Sequence, residues 1–307
     1  MKPTKIAVVQ DRPVLFDLPA TLDKIEQLAC KASESDPDII LFPEAFIPAY
    51  PRGISFGTVV GDRTAEGRET WLRYWKNTVE IPGPATERLG KIAGKVGALL
   101  VIGVVEKGNS GTLYCTLLYF SRDGTLLGKH RKLKPTAAER VIWGEGDGTD
   151  LQVYDTDFGK VGGLICWENY MPLARTALYR QGIEIYLAPT ADHRESWQYT
   201  MRHIACEARC FVIGCNQVLK KSDYPDLPGE DLSGYGEFIS RGGSVIVDPF
   251  GNILEGPLWD TSGILVTNLD PDLIGKAKMD FDVAGHYARD DVFELKIPDQ
   301  LPFGTND

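Results

Sequence analysis

Three short stretches carry side chains able to do covalent chemistry, and each follows an apolar, strand-like run. Leu41-Phe-Pro-Glu44-Ala-Phe46 places a carboxylate directly after such a run, flanked by two phenylalanines. Partial desolvation there raises a carboxyl pKa and suits a general base near neutrality. On its own the motif more often means a salt-bridged glutamate at a strand end. His130-Arg-Lys132-Leu-Lys134-Pro-Thr136 gathers four potential cations within five residues. Such a run usually marks a solvated face. Strand alternation nevertheless sets Lys132 and Lys134 on one side and Leu133 on the other, so two ammonium groups could hold an anion. Gly162-Gly-Leu-Ile-Cys166-Trp-Glu-Asn-Tyr170 ends a strand on a thiol, with a helix starting a few residues later. Main-chain N–H groups and a helix N-terminus at that place lower a thiol pKa and can form an oxyanion hole. The competing meaning is a buried, inert cysteine, against which the polar Glu168 and Asn169 speak.

Other motifs carry less. Gly144-Glu-Gly-Asp-Gly148 lacks the lysine and helix of a phosphate loop and reads as a plain loop. A cysteine-protease dyad needs a histidine, and none of His130, His193, His203 and His286 stands in a setting that singles it out. His203 lies on a helical pattern and is expected to be packed or capping. Cys206, Cys210 and Cys215 lack the second Cys or His pair of a zinc set and are expected to be buried free thiols. These residues therefore give no reason to expect a metal site.

Elements of both kinds must position these residues. Strand patterns fall at Ile6–Val9, Asp38–Phe42, Ala98–Val105, Gly159–Cys166, Ile183–Leu187, Phe211–Cys215, Gly243–Val247 and Gly263–Leu269. Thr112–Phe120 and Gly128–Leu133 flank Arg122-Asp-Gly-Thr125, a hairpin signal. Helical spacing appears over Ala20–Ala32, Pro84–Val96, Leu173–Gln181 and from Trp197 to Ala208. Helical crossovers beside hairpins predict an α/β layer protein with mixed sheets. The polar loop from Ser222 to Gly236 does not look like a boundary. One domain over residues 1–275 is expected, with a C-terminal tail over 276–307.

The 307 residues are 43% hydrophobic and 25% charged, which excludes intrinsic disorder and leaves ample core. No apolar run approaches a membrane span. Forty-three acidic against thirty-three basic residues give a net charge of −10, which argues against nucleic acid or an anionic membrane as partner. The first ten residues contain no apolar signal region and no cleavage site, so a cytoplasmic protein is expected.

Taken together, Phe42-Pro-Glu44, His130-Arg-Lys132 and Cys166-Trp-Glu168 resemble the Glu–Lys–Cys triad of the nitrilase superfamily of carbon–nitrogen hydrolases, in the family's order and at intervals of 88 and 34 residues. Cys166-Trp-Glu-Asn-Tyr-Met-Pro-Leu-Ala-Arg175 is similar to the true nitrilase branch. So are Arg131-Lys-Leu-Lys-Pro-Thr136, Glu139-Arg-Val-Ile-Trp-Gly-Glu-Gly-Asp147, Phe46-Ile-Pro-Ala-Tyr-Pro-Arg-Gly53 and Asp282-Val-Ala-Gly-His-Tyr287. The resemblance runs from Ile6 to about Leu295. It implies a four-layer α-β-β-α sandwich that pairs into an α-β-β-α-α-β-β-α homodimer and can extend into spirals, with the tail at a subunit interface and with no metal and no organic cofactor. It also implies that Cys166 is the nucleophile, Glu44 the general base, Lys132 the oxyanion stabiliser and Glu139 a fourth catalytic member. Oxyanion and substrate-binding roles are expected at Trp167, Tyr50, Asn169 and His193. The implied reaction is hydrolysis of a small nitrile to acid and ammonia. Within the fold, an amidase, a carbamoylase or a cyanide or nitrile hydratase are the alternatives; an inactive binding member is another. Tyr50-Pro-Arg-Gly53 and Phe56 resemble nitrilases that take aryl or arylacetonitriles, unless those two rings are simply packed core.

Overall fold

The computed structural model describes residues 1–297 of the chain. It opens with β1 (Thr4–Gln10), α1 (Leu18–Ser33) and β2 (Ile39–Leu41), followed by a small hairpin of β3 (Thr58–Val59) and β4 (Asp62–Arg63). Then come α2 (Ala65–Lys76), α3 (Pro84–Val96), β5 (Leu99–Lys107), β6 (Leu113–Phe120) and β7 (Leu126–Arg131). The second half runs through β8 (Tyr154–Thr156), β9 (Gly159–Gly163), α4 (Pro172–Arg180), β10 (Ile185–Thr190), α5 (Glu195–Ala208) and β11 (Phe211–Asn216). It closes with β12 (Val218–Lys220), β13 (Phe238–Val247), β14 (Ile253–Trp259), β15 (Gly263–Leu269) and α6 (Asp272–Asp280).

The strands form two mixed sheets. One has the order β15-β1-β2-β5-β6-β7; the other has β12-β13-β11-β10-β9-β8, with β14 paired to β13. Alternation along each strand sorts the core into three layers. Ile6, Val8, Leu41 and Val101 of the first sheet meet Val161, Leu187, Phe211 and Ile213 of the second. On the outer face of the first sheet, Ala7, Val9, Ile40 and Leu100 meet Leu22 and Ile25 of α1 and Leu89 and Ile92 of α3. On the outer face of the second, Tyr186, Ala188 and Val212 meet Leu178 of α4 and Trp197 and Met201 of α5. The result is the α-β-β-α sandwich expected from the sequence.

Local chemistry fixes the helix ends. The Asp17 side chain accepts from Ala20 N–H at the start of α1. Pro84 opens α3, and Gly97, at φ 64°, closes it in the left-handed conformation.

The structure extends the sequence reading in three places. Helix α2 carried no strong apolar stripe, since only Gly67, Thr70 and Tyr74 are buried. Strand β13 begins five residues before Gly243 and pairs with β14, while β15 leaves that sheet and runs antiparallel to β1. Helix α6 spans residue 275, burying Ile274 and Ala277. Residues 298–307 of the expected tail lie outside the described residues. Among the described residues no helix is long and apolar enough to cross a membrane.

Candidate active site

Glu44 sits just past the end of β2, in a segment strapped to β5 by main-chain bonds. Phe42 N–H donates to Val101 O (2.8 Å), Gly103 N–H to Pro43 O (3.1 Å) and Phe46 N–H to Gly103 O (2.7 Å). Gly103 is the residue this approach requires. A Cβ there would lie 2.4 Å from Pro43 O and 2.6 Å from Glu44 Cα. Gln217 Nε2 adds a bond to the Glu44 carbonyl at 2.6 Å. The carboxylate is therefore held rigidly and is completely buried.

Lys132 follows β7 directly and is anchored by its N–H to Cys115 O at 2.8 Å. Its ammonium lies 2.7 Å from Glu44 Oε1 and 2.8 Å from Glu139 Oε2. Glu139 comes from a 3₁₀ turn, Ala137–Val141. It is fixed by Thr136 N–H (2.7 Å) and by the Tyr50 hydroxyl (2.7 Å). Lys134 does not join Lys132: it is exposed and ion-paired with Glu145. The strand ends at Arg131, so the alternation that aligned the two lysines stops before either of them.

Cys166 begins a 3₁₀ turn, Cys166–Tyr170, three residues beyond β9. Its φ of 53° puts a non-glycine residue in the left-handed region, a strained geometry typical of active-site turns. Asn169 sustains that turn, its amide donating to Leu164 O (3.0 Å) and Cys166 O (2.7 Å). The Thr190 hydroxyl meets Sγ at 3.1 Å. The thiol pKa is not lowered, contrary to expectation. Burial, reinforced by the Glu44 charge, pushes it up to about 12. A 3₁₀ turn of five residues, facing buried carboxylates, is too weak a dipole to oppose this. Glu44 is raised too, by burial first, with Lys132 opposing. Its Oε2 is buried without a hydrogen-bond partner. A neutral thiol thus shares the site with a basic carboxylate that has one free oxygen.

A cavity of about 280 Å³ opens onto Cys166, lined by Tyr50, Arg52, Thr136, Glu139 and Trp167 among others. A second, of about 470 Å³, shares Tyr50, Arg52 and Glu139 and adds Phe56, Ile142 and Tyr235. Trp167 stands at the rim, its indole N–H donating to Asp192 Oδ2 at 2.9 Å and its ring under Arg194. As the second residue of its turn, it has a main-chain N–H without an intrahelical partner.

The structure therefore brings Glu44, Lys132, Cys166, Glu139, Tyr50 and Trp167 together. Asn169 is adjacent, but its amide N–H groups serve the backbone and it does not line the Cys166 cavity. His193 lines a separate cavity of about 310 Å³ with Gln198 and Trp259. Burial, then the Arg52 charge, pulls its pKa down to about 4. Phe56 is largely packed against Trp71 and Tyr74, although it reaches the larger cavity. His203 is mostly exposed, 3.8 Å from Glu207, and is not packed. Cys210 and Cys215 are buried free thiols; Cys206 is only half-buried. Among the described residues no group of three or more His, Cys, Asp or Glu side chains is arranged to hold a metal ion.

Sequence reasoning missed three partners. His130 is buried between Asp150 (3.0 Å) and Glu168 (3.1 Å). Cys115 places its Sγ 3.6 Å from Glu44 Oε1. Thr190 ends β10 against the nucleophile. Only His130 had a signal, its position two residues before Lys132; the others meet the site across different strands.

The carbon–nitrogen hydrolase family model matches residues 5–279. The chain is 48% identical over 300 residues to a bifunctional nitrilase/nitrile hydratase of Nicotiana tabacum, covering 96% of this chain and 86% of that one. It is also 48% identical over 297 residues to an aliphatic nitrilase of Sinorhizobium fredii (strain HH103), covering 96% of each. A carbon–nitrogen hydrolase from Helicobacter pylori G27 shares the fold at a TM-score of 0.76 and 19% identity, over 94% of this chain and 96% of that one. The Saccharomyces cerevisiae Nit3 structure does so at 0.71 and 20%, over 94% and 97%. The chain belongs to the carbon–nitrogen hydrolase family, in its nitrilase branch.

Proposed function

We propose that the protein hydrolyses an organic nitrile to the carboxylic acid and ammonia through intermediates bound to Cys166. The observation that carries this reading is the buried Glu44–Lys132 pair, with Glu44 Oε2 unpartnered, in one site with a thiol that is neutral at rest. Glu44 takes the thiol proton as sulfur adds to the nitrile carbon and passes it to the nitrile nitrogen, giving a thioimidate and restoring the carboxylate. Water adds with Glu44 again as base. Lys132 and the Trp167 main-chain N–H stabilise the tetrahedral species. Loss of ammonia leaves a thioester, and a second water frees the acid. No cofactor or metal enters any of these steps. Relatives named nitrilases support the reaction class.

A second outcome is favoured by a specific observation. Several relatives are named bifunctional nitrilase/nitrile hydratase, which supports release of part of the product as amide. Amidase and carbamoylase activity remains the alternative for this fold, and an intact Glu44, Lys132 and Cys166 argues against an inactive binding member. For the substrate we favour an aromatic or arylaliphatic nitrile. Tyr50, packed edge-on to Trp143, and the rim ring of Trp167 support it. A relative named aliphatic nitrilase supports the opposite preference. A panel of aliphatic, aromatic and arylacetonitriles, with ammonia, acid and amide all quantified, tests both. Amides or N-carbamoyl compounds turned over faster than every nitrile would sink the reaction class. Short aliphatic nitriles clearly ahead of phenylacetonitrile would sink only the preference.

We also propose a homodimer. Tyr170, Leu173 and Tyr199, on and around α4 and α5, are exposed, as are Tyr287 and Phe293 of the tail, which supports burial against a second copy.

A further inference from the structure

Glu168 is buried, and its two oxygens span the site without touching the reacting atoms. Oε1 accepts from the N–H of Leu133, the residue after Lys132, at 2.6 Å. Oε2 accepts from the N–H of Ile165, the residue before Cys166, at 2.7 Å. Both oxygens face His130 Nε2 at 3.1–3.2 Å, and His130 Nδ1 faces Asp150 Oδ1 at 3.0 Å. Asp150 Oδ2 accepts from Arg131 N–H at 2.8 Å. Capping of the 3₁₀ turn accounts for the Ile165 bond alone. It accounts neither for the bond to Leu133, just past a strand of the other sheet, nor for a buried imidazole between two carboxylates. Burial disfavours charge on that imidazole, but Glu168 and Asp150 outweigh it and push its pKa up to about 10. The line is therefore carboxylate, imidazolium, carboxylate, and bonds to charged groups of this kind are strong and directional.

We infer that Glu168, braced by His130 and Asp150, is a positioning residue that sets the Lys132 ammonium relative to the Cys166 sulfur and thereby decides whether the tetrahedral intermediate releases ammonia or amide. This rests on the nitrile reading above. In that intermediate one carbon bears hydroxyl, amino and the Cys166 sulfur. If the amino nitrogen receives a proton, the C–N bond breaks, ammonia leaves and a thioester remains. If it does not, the C–S bond breaks, the electron pair returns to sulfur, sulfur takes a proton, and amide departs. The proton donors at hand are Lys132 and the protonated Glu44 that Lys132 holds. Shifting Lys132 away from the intermediate starves the nitrogen and favours the second route.

The test compares Glu168→Gln, His130→Gln and Asp150→Asn with wild type on one turned-over nitrile. Rates are normalised to the fraction of Cys166 that iodoacetamide alkylates. Expected for Glu168→Gln is a kcat lower by about 10–100-fold, the effect of losing one or two bonds to a charged acceptor, with KM within about threefold. The amide-to-acid ratio rises several-fold, and less so in the His130 and Asp150 variants. An unchanged ratio per alkylatable Cys166 overturns the inference, because a merely structural residue lowers the competent fraction alone. Asp150→Asn alters the half-buried end of the line and keeps the test open if the inner variants do not fold. Should wild type convert no nitrile, the proposed reaction fails separately. The second-order rate of Cys166 alkylation then decides: a severalfold change in the folded variants supports the positioning role, and an unchanged rate overturns it.

Discussion

The Lys132 ammonium and the Glu44 carboxylate lie 2.7 Å apart, and neither side chain has any solvent exposure. A pair so buried contributes little net stability, because both charges lost their water. Its value is chemical. With Glu139 on the other side of Lys132, the group already carries one negative charge in excess. Adding a thiolate would make two, so the thiol keeps its proton until an electrophile arrives and Glu44 can take it.

Cys166→Ala is expected to abolish turnover in a folded protein, since among the described residues no second cysteine lines the cavity. Glu44→Gln and Lys132→Gln each lower kcat about 10²–10⁴-fold, the range for a lost general base or oxyanion stabiliser. Lys132→Gln also leaves two buried carboxylates unpaired, costing about 3–5 kcal/mol. Ammonia release with thermal unfolding checks all three, and near-normal release in any one refutes the assignment. Prolonged EDTA treatment leaves the rate unchanged.

The activity–pH profile carries the Glu44 signature. Its pKa is raised by burial, and the base must be deprotonated, so kcat/KM falls as pH drops through a value above the ordinary carboxylate range. Stability has the opposite sign for this group. The folded state binds the proton more tightly, so its favourable share is present at low pH and lost as pH rises. A kcat/KM profile flat down to pH 4.5 would contradict Glu44 as base.

His130 gives a separate pH dependence of stability. Its folded pKa, about 10, stands above the ordinary imidazole value of 6.5. The stabilisation is complete below about 6.5 and is lost as pH rises toward 10. His130→Gln should therefore cost most near pH 6, and the gap to wild type should narrow by pH 9–10. Urea unfolding midpoints at several pH values measure this; a constant gap would show that His130 is not held as the cation.

Gly103→Ala tests the strap that holds the base. The new Cβ would meet Pro43 O at 2.4 Å, and neither that carbonyl nor the Glu44 backbone can yield cheaply. Stability should fall by about 1–3 kcal/mol, and kcat by more than the loss of folded protein explains, because Glu44 moves with its backbone. A variant with wild-type kcat per folded molecule would show that the strap does not set the base.

Light scattering at micromolar concentration should give at least a dimer. Leu173→Glu, at a residue 69% exposed on α4, should shift it toward monomer without unfolding it. A fully active wild-type monomer would refute the dimer.

Periodicity and punctuation made most of the fold legible. Apolar runs of strand length, the stripes of α1, α3 and α5, and an Asp-Gly turn each act within about a dozen residues, where sequence neighbours decide structure. Glu44 and Cys166 were legible as candidates too, because each stands just past an apolar run, and the family pattern joined Lys132 to them. Helix α2 was not, since its buried face is a glycine, a threonine and a tyrosine. Nor was the path of β15, whose apolar run fits either sheet until β1 supplies the partner.

Distance, burial and charge state lay beyond the sequence. Lys132 and Lys134 look equivalent in the chain, yet the strand stops before both, and only one turns into the core. The Cys166 thiol promised a low pKa from its local turn. Burial beside Glu44, which is 122 residues away in the chain, raised it instead. Residue types and their local spacing determine which groups can react and where strands end. Tertiary packing decides which charges share a space without water, and electrostatic energy depends on that shared space, not on the order of residues along the chain.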